Sequence, residues 1–343
     1  MKITTVGIDL AKYSFQAHGV DGRGKAVLNK QLKRDQVVRF FANLPPCLIG
    51  MEACGSAHHW ARKLSSLGHT VKLISPQFVK PYVKTNKNDC ADAEAICEAV
   101  SRPNMRFVPI KTPEQQGILA LHRARQSFVK ARTAQANQIR GLLAEFGIVI
   151  PQGISHIAKR LPQVLEDAEN GLPGAFRLLL QRLRENLKEM DRQAGELERE
   201  IQLWHRHDDT SRKLAAIPGI GPISASAPAA SAGDAKSFAN GRQMAAWLGL
   251  VPRQYSTGGK PRMLGISKRG DTYLRTLLIH GARAVIRVCE HKTKTDSWLK
   301  DLVARRNKNV AAVALANKNA RIAWALLAHE TDYRSDYRRA LAR

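Results

Sequence analysis

Short apolar runs separated by turn residues occupy the first hundred positions of the chain, and this pattern predicts a mixed α/β domain. The clearest local signal is Asp-Gly-Arg-Gly at residues 21–24, because Asp-Gly tolerates the backbone conformation of a tight hairpin turn. The predicted elements are, in order, a strand within 5–12, a hairpin of 15–20 and 26–29, a helix capped by Asp35 and ending at Leu44, a strand at 48–53, a helix at 56–67, a strand at 70–74 and a helix at 89–101.

Long helices follow from Thr112 onwards. Residues 112–115 form a capping box with proline at the first helical position, and no strong helix breaker occurs before Gly147. A loop is predicted at 151–173. Apolar residues then recur at alternating four- and three-residue steps, which is typical of a coiled coil: Leu179, Leu183, Leu187, Met190, Ala194, Leu197, Ile201 and Trp204. Charged residues on the other faces favour an inter-helix or inter-subunit coiled coil over a helix packed inside its own domain.

A third pattern begins near Leu214. Gly219 and Gly221 form a Gly-x-Gly turn between two helical segments, as in helix-hairpin-helix modules whose turn N–H groups bind a phosphate. The alternative is a turn with a purely structural role. Pro228 follows in a segment of small residues and would cost around 3 kcal/mol inside a helix, so a kink or a lower stability is expected there.

These patterns divide the 343 residues into four parts. The predicted parts are an α/β domain at 1–110, long helices with a coiled coil at 111–210, a mostly helical domain at 211–330, in which the alanine-rich helix 312–327 is expected to pack, and a basic tail at 331–343.

The charge balance identifies a class of partner. The chain has 55 Lys and Arg against 29 Asp and Glu, a net charge of +26, which indicates nucleic acid, with an anionic membrane surface as the alternative. No apolar run is long enough to span a membrane and no signal peptide opens the chain, so a cytosolic protein is expected. The five cysteines form no CxxC pair and are expected to be reduced. Cys54, His58 and His59 are close in sequence but lack a second ligand cluster of zinc-like spacing.

Four acidic residues stand out in the α/β region: Asp9, Glu52, Asp89 and Asp92. Asp9 and Glu52 end apolar strand-like runs, where a carboxylate needs a reason. Asp89 and Asp92 are three residues apart, so on a helix they share one face and repel each other unless a cation is bound. If the strand ends and the helix converge, these oxygen ligands select Mg²⁺ or Mn²⁺ and promote phosphodiester cleavage. Each residue alone is also explained as a strand-end, capping or salt-bridged carboxylate.

Motifs over nearly the whole chain resemble the insertion-sequence-110 family of transposases, which includes the Piv/MooV DNA invertases. They are, in order, Gly-Ile-Asp-x-Ala-Lys from Gly7, Met-Glu-Ala-Cys-Gly-Ser-Ala-His-His-Trp-Ala from Met51, Lys-Thr-Asn-Lys-Asn-Asp-x-x-Asp-Ala from Lys84, Ile-Pro-Gly-Ile-Gly-Pro from Ile217, Gly-Leu-Val-Pro-Arg-Gln-Tyr-Ser-Thr-Gly-Gly-Lys from Gly249 and Ile-Ser-Lys-Arg-Gly-Asp-Thr-Tyr-Leu-Arg from Ile266. The second and fourth motifs are most similar to the subgroup named for insertion sequence 1111.

This resemblance implies an N-terminal RuvC-like (RNase H-like) catalytic domain, a coiled-coil linker and a C-terminal transposase domain with a nucleophilic serine. The four carboxylates would then be the metal ligands, and Ser256 would be the nucleophile, with Thr257 as the alternative hydroxyl. The implied partners are donor and target double-stranded DNA, a structured non-coding bridge RNA that guides recombination, and further copies of the chain in a dimer or tetramer. The expected location is the bacterial cytoplasm, at the nucleoid.

The residues around Ser256 suit a phosphate group. Gly258 and Gly259 allow close approach of the backbone. A serine hydroxyl needs activation and no adjacent residue is an obvious base, so the metal site of the same or a partner subunit is the expected source. The predicted nucleic-acid contacts are Gly219, Gly221, Arg253, Lys260, Arg262, Lys268, Arg269 and Arg275. The alternative is a basic loop whose serine only binds a phosphate.

The sequence therefore predicts a transposase that cuts and rejoins DNA through a metal-dependent site and a covalent phosphoserine link. One rival is a structure-selective endonuclease of the RuvC type that uses the carboxylates without serine chemistry. The other is a nucleic-acid scaffold without catalysis, against which the four intact carboxylates argue.

Overall fold

The computed structural model of the chain describes residues 2–84, 88–289 and 297–334. The chain divides into two compact units, residues 1–113 and 114–343, and a further division of the second unit at residue 210 stays a prediction. The first unit contains a six-stranded sheet made of β1 (Ile3–Leu10), β2 (Ser14–Asp21), β3 (Ala26–Lys33), β4 (Leu48–Glu52), β5 (Thr70–Ile74) and β6 (Phe107–Val108).

The strand order of this sheet is β3-β2-β1-β4-β5-β6. The first three strands form an antiparallel meander, β4 and β5 continue it in parallel with β1, and β6 pairs antiparallel with β5. The predicted hairpin is confirmed: Asp21 Oδ1 accepts hydrogen bonds from the N–H groups of Arg23 at 2.9 Å and Lys25 at 3.0 Å, and Gly24 has a φ of +79°. The sheet is thus the mixed α/β arrangement expected from the sequence.

Helices cover both faces of the sheet. They are α1 (Gln36–Ala42), α2 (Ala57–Ser65), the short α3 (Pro76–Val79) with a 3₁₀ turn (Lys80–Tyr82), and α4 (Asp89–Val100). α2 buries Trp60 in the core with Phe15, Ile49 and Met51. Asp35 precedes α1 but makes no capping hydrogen bond, because its own backbone is already helical (φ −73°, ψ −23°), so the predicted cap is wrong.

Helices dominate the second unit. Its elements are α5 (Pro113–Ala144), α6 (Ile154–Glu166), α7 (Gly174–His207), α8 (Asp209–Ala215), α9 (Pro222–Ala232), a 3₁₀ turn (Ala235–Ser237), α10 (Gly241–Trp247), β7 (Pro252–Gln254), β8 (Met263–Ile266), α11 (Thr272–Cys289), α12 (Ser297–Arg305) and α13 (Lys308–Ala328). The loop predicted at 151–173 is wrong in its middle, where α6 lies. Burial of Ile157 and Leu161 outweighs the cost, about 3 kcal/mol, of Pro162 inside that helix.

The two long helices pack against each other within the chain. Arg125 and Arg132 of α5 form ion pairs with Glu198 and Asp191 of α7, so the pair is antiparallel. The buried positions of α7 recur every seventh residue: Leu180, Leu187, Ala194 and Ile201. The predicted repeat is wrong at its start, since Leu180 is buried whereas Leu179 is 42% exposed. A coiled coil between subunits stays a prediction.

The proline in the small-residue segment does not end its helix. α9 continues through Pro228 to Ala232, and Pro228 is buried among alanines. The alanine-rich helix α13 packs as predicted, with Ala311, Ala316 and Ala320 in the core of the second unit. Most of the basic tail, residues 335–343, lies outside the described residues. In the described parts of the chain, none of the helices has the length and apolar character needed to cross a membrane.

Candidate active site

Asp9 and Glu52 lie at the same end of the sheet, where the central strands β1 and β4 finish. Asp9 is the penultimate residue of β1 and Glu52 is the last residue of β4. These strands are parallel, and Ile8 pairs with Met51, so the next residue along each strand is one of the two acids. Adjacent strands are about 4.8 Å apart, so we expect Asp9 and Glu52, which directly follow the last paired residues, to lie side by side.

Two glycines allow α4 to lie directly on this part of the sheet. A Cβ atom on Gly7 would lie 2.2 Å from the carbonyl oxygen of Ala93, and one on Gly50 would lie 2.7 Å from a side-chain atom of α4. Side chains alternate along a strand, so Asp9, two residues after Gly7, and Glu52, two residues after Gly50, are on the face that α4 covers.

The first turn of α4 carries the other two predicted ligands. Asp89 is exposed and Asp92 is half-buried. Asn88 caps the helix, its Oδ1 accepting a hydrogen bond from the N–H of Ala91 at 2.7 Å. The positive end of the helix dipole stabilises carboxylates at this turn. Residues 85–87 of the third sequence motif lie outside the described residues.

Hydrogen bonds of two amide side chains link β2, the neighbour of Asp9, with the first turn of α4. Gln16 is the cross-strand neighbour of Asp9 on β2. Its Nε2 donates a hydrogen bond to Asn29 Oδ1 at 2.6 Å, and Asn29 Nδ2 donates to the sulfur of Cys90 at 3.1 Å. These roles could not be predicted from sequence, because only the strand register brings Gln16 and Asn29 to this face.

The four carboxylates are arranged as two pairs. Across residues 2–84, 88–289 and 297–334, no group of three or more His, Cys, Asp or Glu side chains is placed closely enough to hold a metal ion. Convergence of all four therefore stays a prediction. The available donors nevertheless fit a hard divalent cation, because all are carboxylate oxygens, they belong to one side of the sheet, and one pair directly follows the last paired residues of adjacent strands.

Cys54 lies just beyond β4, where it is exposed to the field of the strand-end acids. Desolvation raises the pKa of its thiol, and the negative charges of Glu52 and then Asp9 raise it further. Both carboxylates thus act electrostatically on one point beyond the sheet edge. His58 Nδ1 accepts a hydrogen bond from the N–H of Lys111 at 3.2 Å.

Ser256 lies in the exposed hairpin of β7 and β8. Its Oγ accepts hydrogen bonds from Gln254 Nε2 at 2.8 Å and from the N–H of Arg262 at 3.3 Å. Both contacts use Oγ as an acceptor, so the hydroxyl proton is not engaged in either of them. Gln254 was not identified from the sequence, since a glutamine two residues from a serine has no distinctive signal.

The turn beside Ser256 is open to solvent. The N–H of Lys260 donates to the carbonyl oxygen of Thr257 at 3.1 Å, and Gly258 and Gly259 have φ values of +55° and +75°. A Cβ atom on either glycine would meet nothing within 4 Å. Glycine is therefore favoured here by backbone conformation, and the open surface leaves room for a phosphate backbone.

Five of the six predicted cations are exposed: Arg253, Lys260, Arg262, Lys268 and Arg269. Arg275 is 7% exposed. Its guanidinium donates to the carbonyl oxygens of Gly270 at 3.0 Å and Leu248 at 3.3 Å, and to Thr272 Oγ1 at 3.1 Å. The prediction of Arg275 as a nucleic-acid contact is wrong, because its donors hold the segment before α11.

The first glycine of the Gly-x-Gly turn packs closely against helix α11. Gly219 has a φ of +87°, and a Cβ atom on Gly281 of α11 would lie 1.7 Å from the carbonyl oxygen of Gly219. Glycine at these positions is explained by the close contact of the turn with α11, as the structural alternative expected. Gly221 is exposed at the start of α9, and its contact with a phosphate stays a prediction.

A buried polar network joins α5, α9 and α11. His122 is 1% exposed, with Nδ1 2.9 Å from the hydroxyl of Tyr273 and Nε2 3.0 Å from Ser226 Oγ. The Ser226 hydroxyl donates to the carbonyl oxygen of Pro222 at 2.7 Å, so His122 Nε2–H donates to Ser226 and Nδ1 accepts from Tyr273. Burial, and then the charge of Arg125, lowers the pKa of His122 to about 4. One histidine on a long helix has no sequence signal that would predict this network.

Two acids at the ends of adjacent strands of a mixed sheet, with an acidic helix turn over the same face, are consistent with a DEDD-type nuclease domain. Comparisons with known proteins agree. Residues 6–148 match a DEDD transposase model of the IS110 group, and residues 211–298 match the model described as "Transposase IS116/IS110/IS902 family".

Full-length relatives give the same result. A probable family 20 transposase of Pseudomonas aeruginosa is 58% identical, covering 97% of this chain and 99% of the relative. The transposase for insertion sequence element IS1328 of Yersinia enterocolitica is 47% identical, covering 96% and 98%. That for IS1111A of Coxiella burnetii is 46% identical, covering 97% and 92%. The chain belongs to the IS110 family of transposases, which catalyse DNA cleavage and strand transfer and whose DEDD domain depends on a divalent metal.

Proposed function

We propose that this transposase cuts and rejoins donor and target double-stranded DNA under the guidance of a structured bridge RNA. In this proposal, a RuvC-like carboxylate site that binds Mg²⁺ or Mn²⁺ works together with Ser256 as nucleophile. The observation that carries it is the strand register, which sets Asp9 beside Glu52 on the face where α4 bears its acidic first turn.

Asp9, Glu52, Asp89 and Asp92 would hold the divalent cation. Such an ion, when bound, supplies positive charge that stabilises the attacking and leaving oxygens of a phosphodiester. The protein's own contribution is to orient the ligands. Asn88 maintains the first turn of α4, while Gln16 and Asn29 fix that turn relative to the strand that carries Asp9.

Ser256 attacks the phosphorus of the scissile phosphodiester. The Oγ–P bond forms as the bond from phosphorus to one deoxyribose oxygen breaks, and the serine proton ends on the departing oxygen. The donors from Gln254 and Arg262 favour Ser256 over Thr257, since they stabilise charge on Oγ as its proton leaves. The reverse attack, by a DNA hydroxyl, rejoins the strand and frees the serine.

The excess of positive charge suits several nucleic-acid strands at once. A net charge of +26 on 343 residues, with exposed cations around Ser256, supports binding of two DNA duplexes and a guide RNA. The active assembly is proposed to be a dimer or tetramer that acts on nucleoid DNA in the cytoplasm. Sequencing the RNA that co-purifies with the protein tests the guide, and recovery of a discrete structured RNA encoded beside the gene is expected.

The serine step is tested by trapping the covalent adduct. Full-length protein is incubated with labelled DNA and Mg²⁺, and protein that carries label is detected on a denaturing gel. Ser256→Ala is expected to abolish the adduct, whereas the matched change Thr257→Val retains it. An adduct that survives Ser256→Ala but not Thr257→Val would reassign the nucleophile. Cleavage by the unaltered protein without any adduct would favour the structure-selective endonuclease.

A further inference from the structure

A pocket with a cavity volume of about 770 Å³ opens at one edge of the first unit's sheet. The residues that line it include Tyr13 in the β1–β2 turn, Lys33 at the end of β3, and His59 and Trp60 on α2. β1 and β4 also finish at this end of the sheet, where Asp9 and Glu52 lie on the face that α4 covers and Trp60 packs on the opposite face. The volume lies within the range of roughly 300–1,000 Å³ that is usual for small-molecule sites.

Aromatic rings and cations form the walls of this pocket. Tyr13 is 75% exposed, and the Lys12 ammonium lies 5.2 Å from the centre of its ring. The Arg34 guanidinium lies 5.3 Å from the ring centre of Trp60 and 5.8 Å from that of Phe15. The N–H of Arg34 also donates to the carbonyl oxygen of Tyr13 at 3.1 Å, which ties the two sides of the pocket together. An exposed ring next to a fixed planar cation is a surface suited to stacking.

Trp60 is one of the residues that line the pocket. The residue is 5% exposed, and its indole N–H is buried without an acceptor in the described parts of the chain. A buried donor without an acceptor is unfavourable, and an indole can only donate. Trp60 contributes to the pocket through its ring, beside which the Arg34 guanidinium lies.

The charge and size of the pocket select its occupant. Lys33 and Arg34 face a single acid, Asp35, among the residues that line it, so an anion is favoured. A base that is paired and stacked inside a duplex cannot lie against Tyr13, whereas an unpaired base can. Tyr13 is four residues from Asp9, a reach of at most about 14 Å, so a strand whose phosphate lies at the carboxylates can place a neighbouring base in the pocket.

We propose that this pocket binds one unpaired base, together with its phosphate, in a single-stranded segment of nucleic acid next to the carboxylate site. The base stacks on Tyr13, and Lys33 and Arg34 contact the phosphate. This inference rests on the proposed function only in that nucleic acid reaches the carboxylate edge. Both a displaced DNA strand and an RNA loop present this chemistry, and the experiment separates them.

The test measures binding without cleavage. Full-length protein carrying Asp9→Asn is titrated in EDTA with a short single strand that contains 2-aminopurine, as DNA and as RNA, and with the matching DNA duplex. Adding Tyr13→Ala is expected to weaken single-strand binding roughly five- to hundred-fold, the range expected for loss of one base–aromatic stack, and to reduce the quenching of 2-aminopurine. Tyr13→Phe, which keeps the ring, is expected to bind and quench normally.

The outcomes are separable. The probe that loses affinity, DNA or RNA, identifies the natural occupant, and duplex binding should change little. Unchanged single-strand binding in Tyr13→Ala, or an equal loss for the duplex, overturns the pocket inference and leaves the recombination chemistry untouched. Cleavage that persists in Asp9→Asn with Mg²⁺ present contradicts the proposed metal site and leaves the binding result valid.

Discussion

The Asp9–Glu52 edge and the Ser256 hairpin support their functional side chains in different ways. Asp9 and Glu52 end strands in the middle of a six-stranded sheet, next to buried residues such as Ile8 and Met51. Ser256 follows a three-residue strand whose residues are all exposed. The first position is fixed by tertiary packing, whereas the second depends on local hydrogen bonds.

This difference has an energetic consequence. Displacing a strand end in the packed sheet disturbs a core, while a two-stranded hairpin by itself is marginally stable in water. We therefore expect nucleic acid to order the Ser256 hairpin further, and the carboxylate edge to keep its geometry without a ligand.

Glycine substitutions compare the two regions directly. Gly7→Ala places a methyl group 2.2 Å from a backbone oxygen of α4, so α4 must move, and we expect a loss of about 3 kcal/mol of unfolding free energy, the upper end of the usual cost of overpacking. Gly258→Ala has open space and meets only the strain of its φ of +55°, about 1–2 kcal/mol. Urea unfolding measures both, and similar losses would contradict the close packing of α4 on β1.

Asp9→Asn keeps the size of the side chain and removes its charge. We expect DNA cleavage with Mg²⁺ to fall by more than about 100-fold, because even residues that only orient metal ligands contribute roughly 10–100-fold. Binding of nucleic acid should be largely unchanged. Glu145→Gln, an exposed acid in the second unit, serves as the control and should cleave normally. The measured quantity is the rate of DNA cleavage at several Mg²⁺ concentrations.

The buried His122 makes the stability of the second unit depend on pH. Its folded-state pKa of about 4 lies below the ordinary value of 6.5, so the unfolded chain binds more protons between these two values. Unfolding free energy should be highest above pH 6.5 and fall, by on the order of 3 kcal/mol, as the pH decreases towards 4. His122→Gln should flatten this slope. A slope that is unchanged by the substitution would assign it to other groups.

Substitutions of two arginines near the Ser256 hairpin distinguish a side chain that contacts DNA from one that packs inside the protein. Arg269→Gln removes an exposed cation, so we expect DNA binding several-fold weaker and a salt dependence smaller by about one unit of logarithmic slope. Arg275→Gln removes hydrogen bonds to the carbonyls of Leu248 and Gly270 and should lower stability without changing that slope. Equal salt slopes for Arg269→Gln and the unaltered protein would exclude Arg269 from the DNA contact.

Much of the fold followed from local patterns. Apolar runs with Asp-Gly between them predicted the hairpin of β2 and β3, and the four-three repeat predicted α7. The failures have physical causes. α6 was missed because tertiary burial of Ile157 and Leu161 outweighs the proline inside it, and Asp35 does not cap because its backbone is already helical.

The candidate site was also only partly accessible from sequence. The acids Asp9, Glu52, Asp89 and Asp92 could be chosen by chemistry and spacing. Gln16 and Asn29 could not be, since ordinary amides acquire a role only through strand register. Arg275 was misassigned because a basic segment does not distinguish a cation in solvent from one whose donors are used inside.

The sequence by itself determined the residue types, the periodicities and the charge: a mixed sheet, long helices, four carboxylates and a polyanionic partner. These properties are local or additive, so they can be read along the chain. Only the tertiary structure decided that Asp9 lies beside Glu52, that Gly7 and Gly50 admit α4, and that α7 pairs with α5. Such contacts join residues far apart in sequence, and they are fixed by packing that no local pattern encodes.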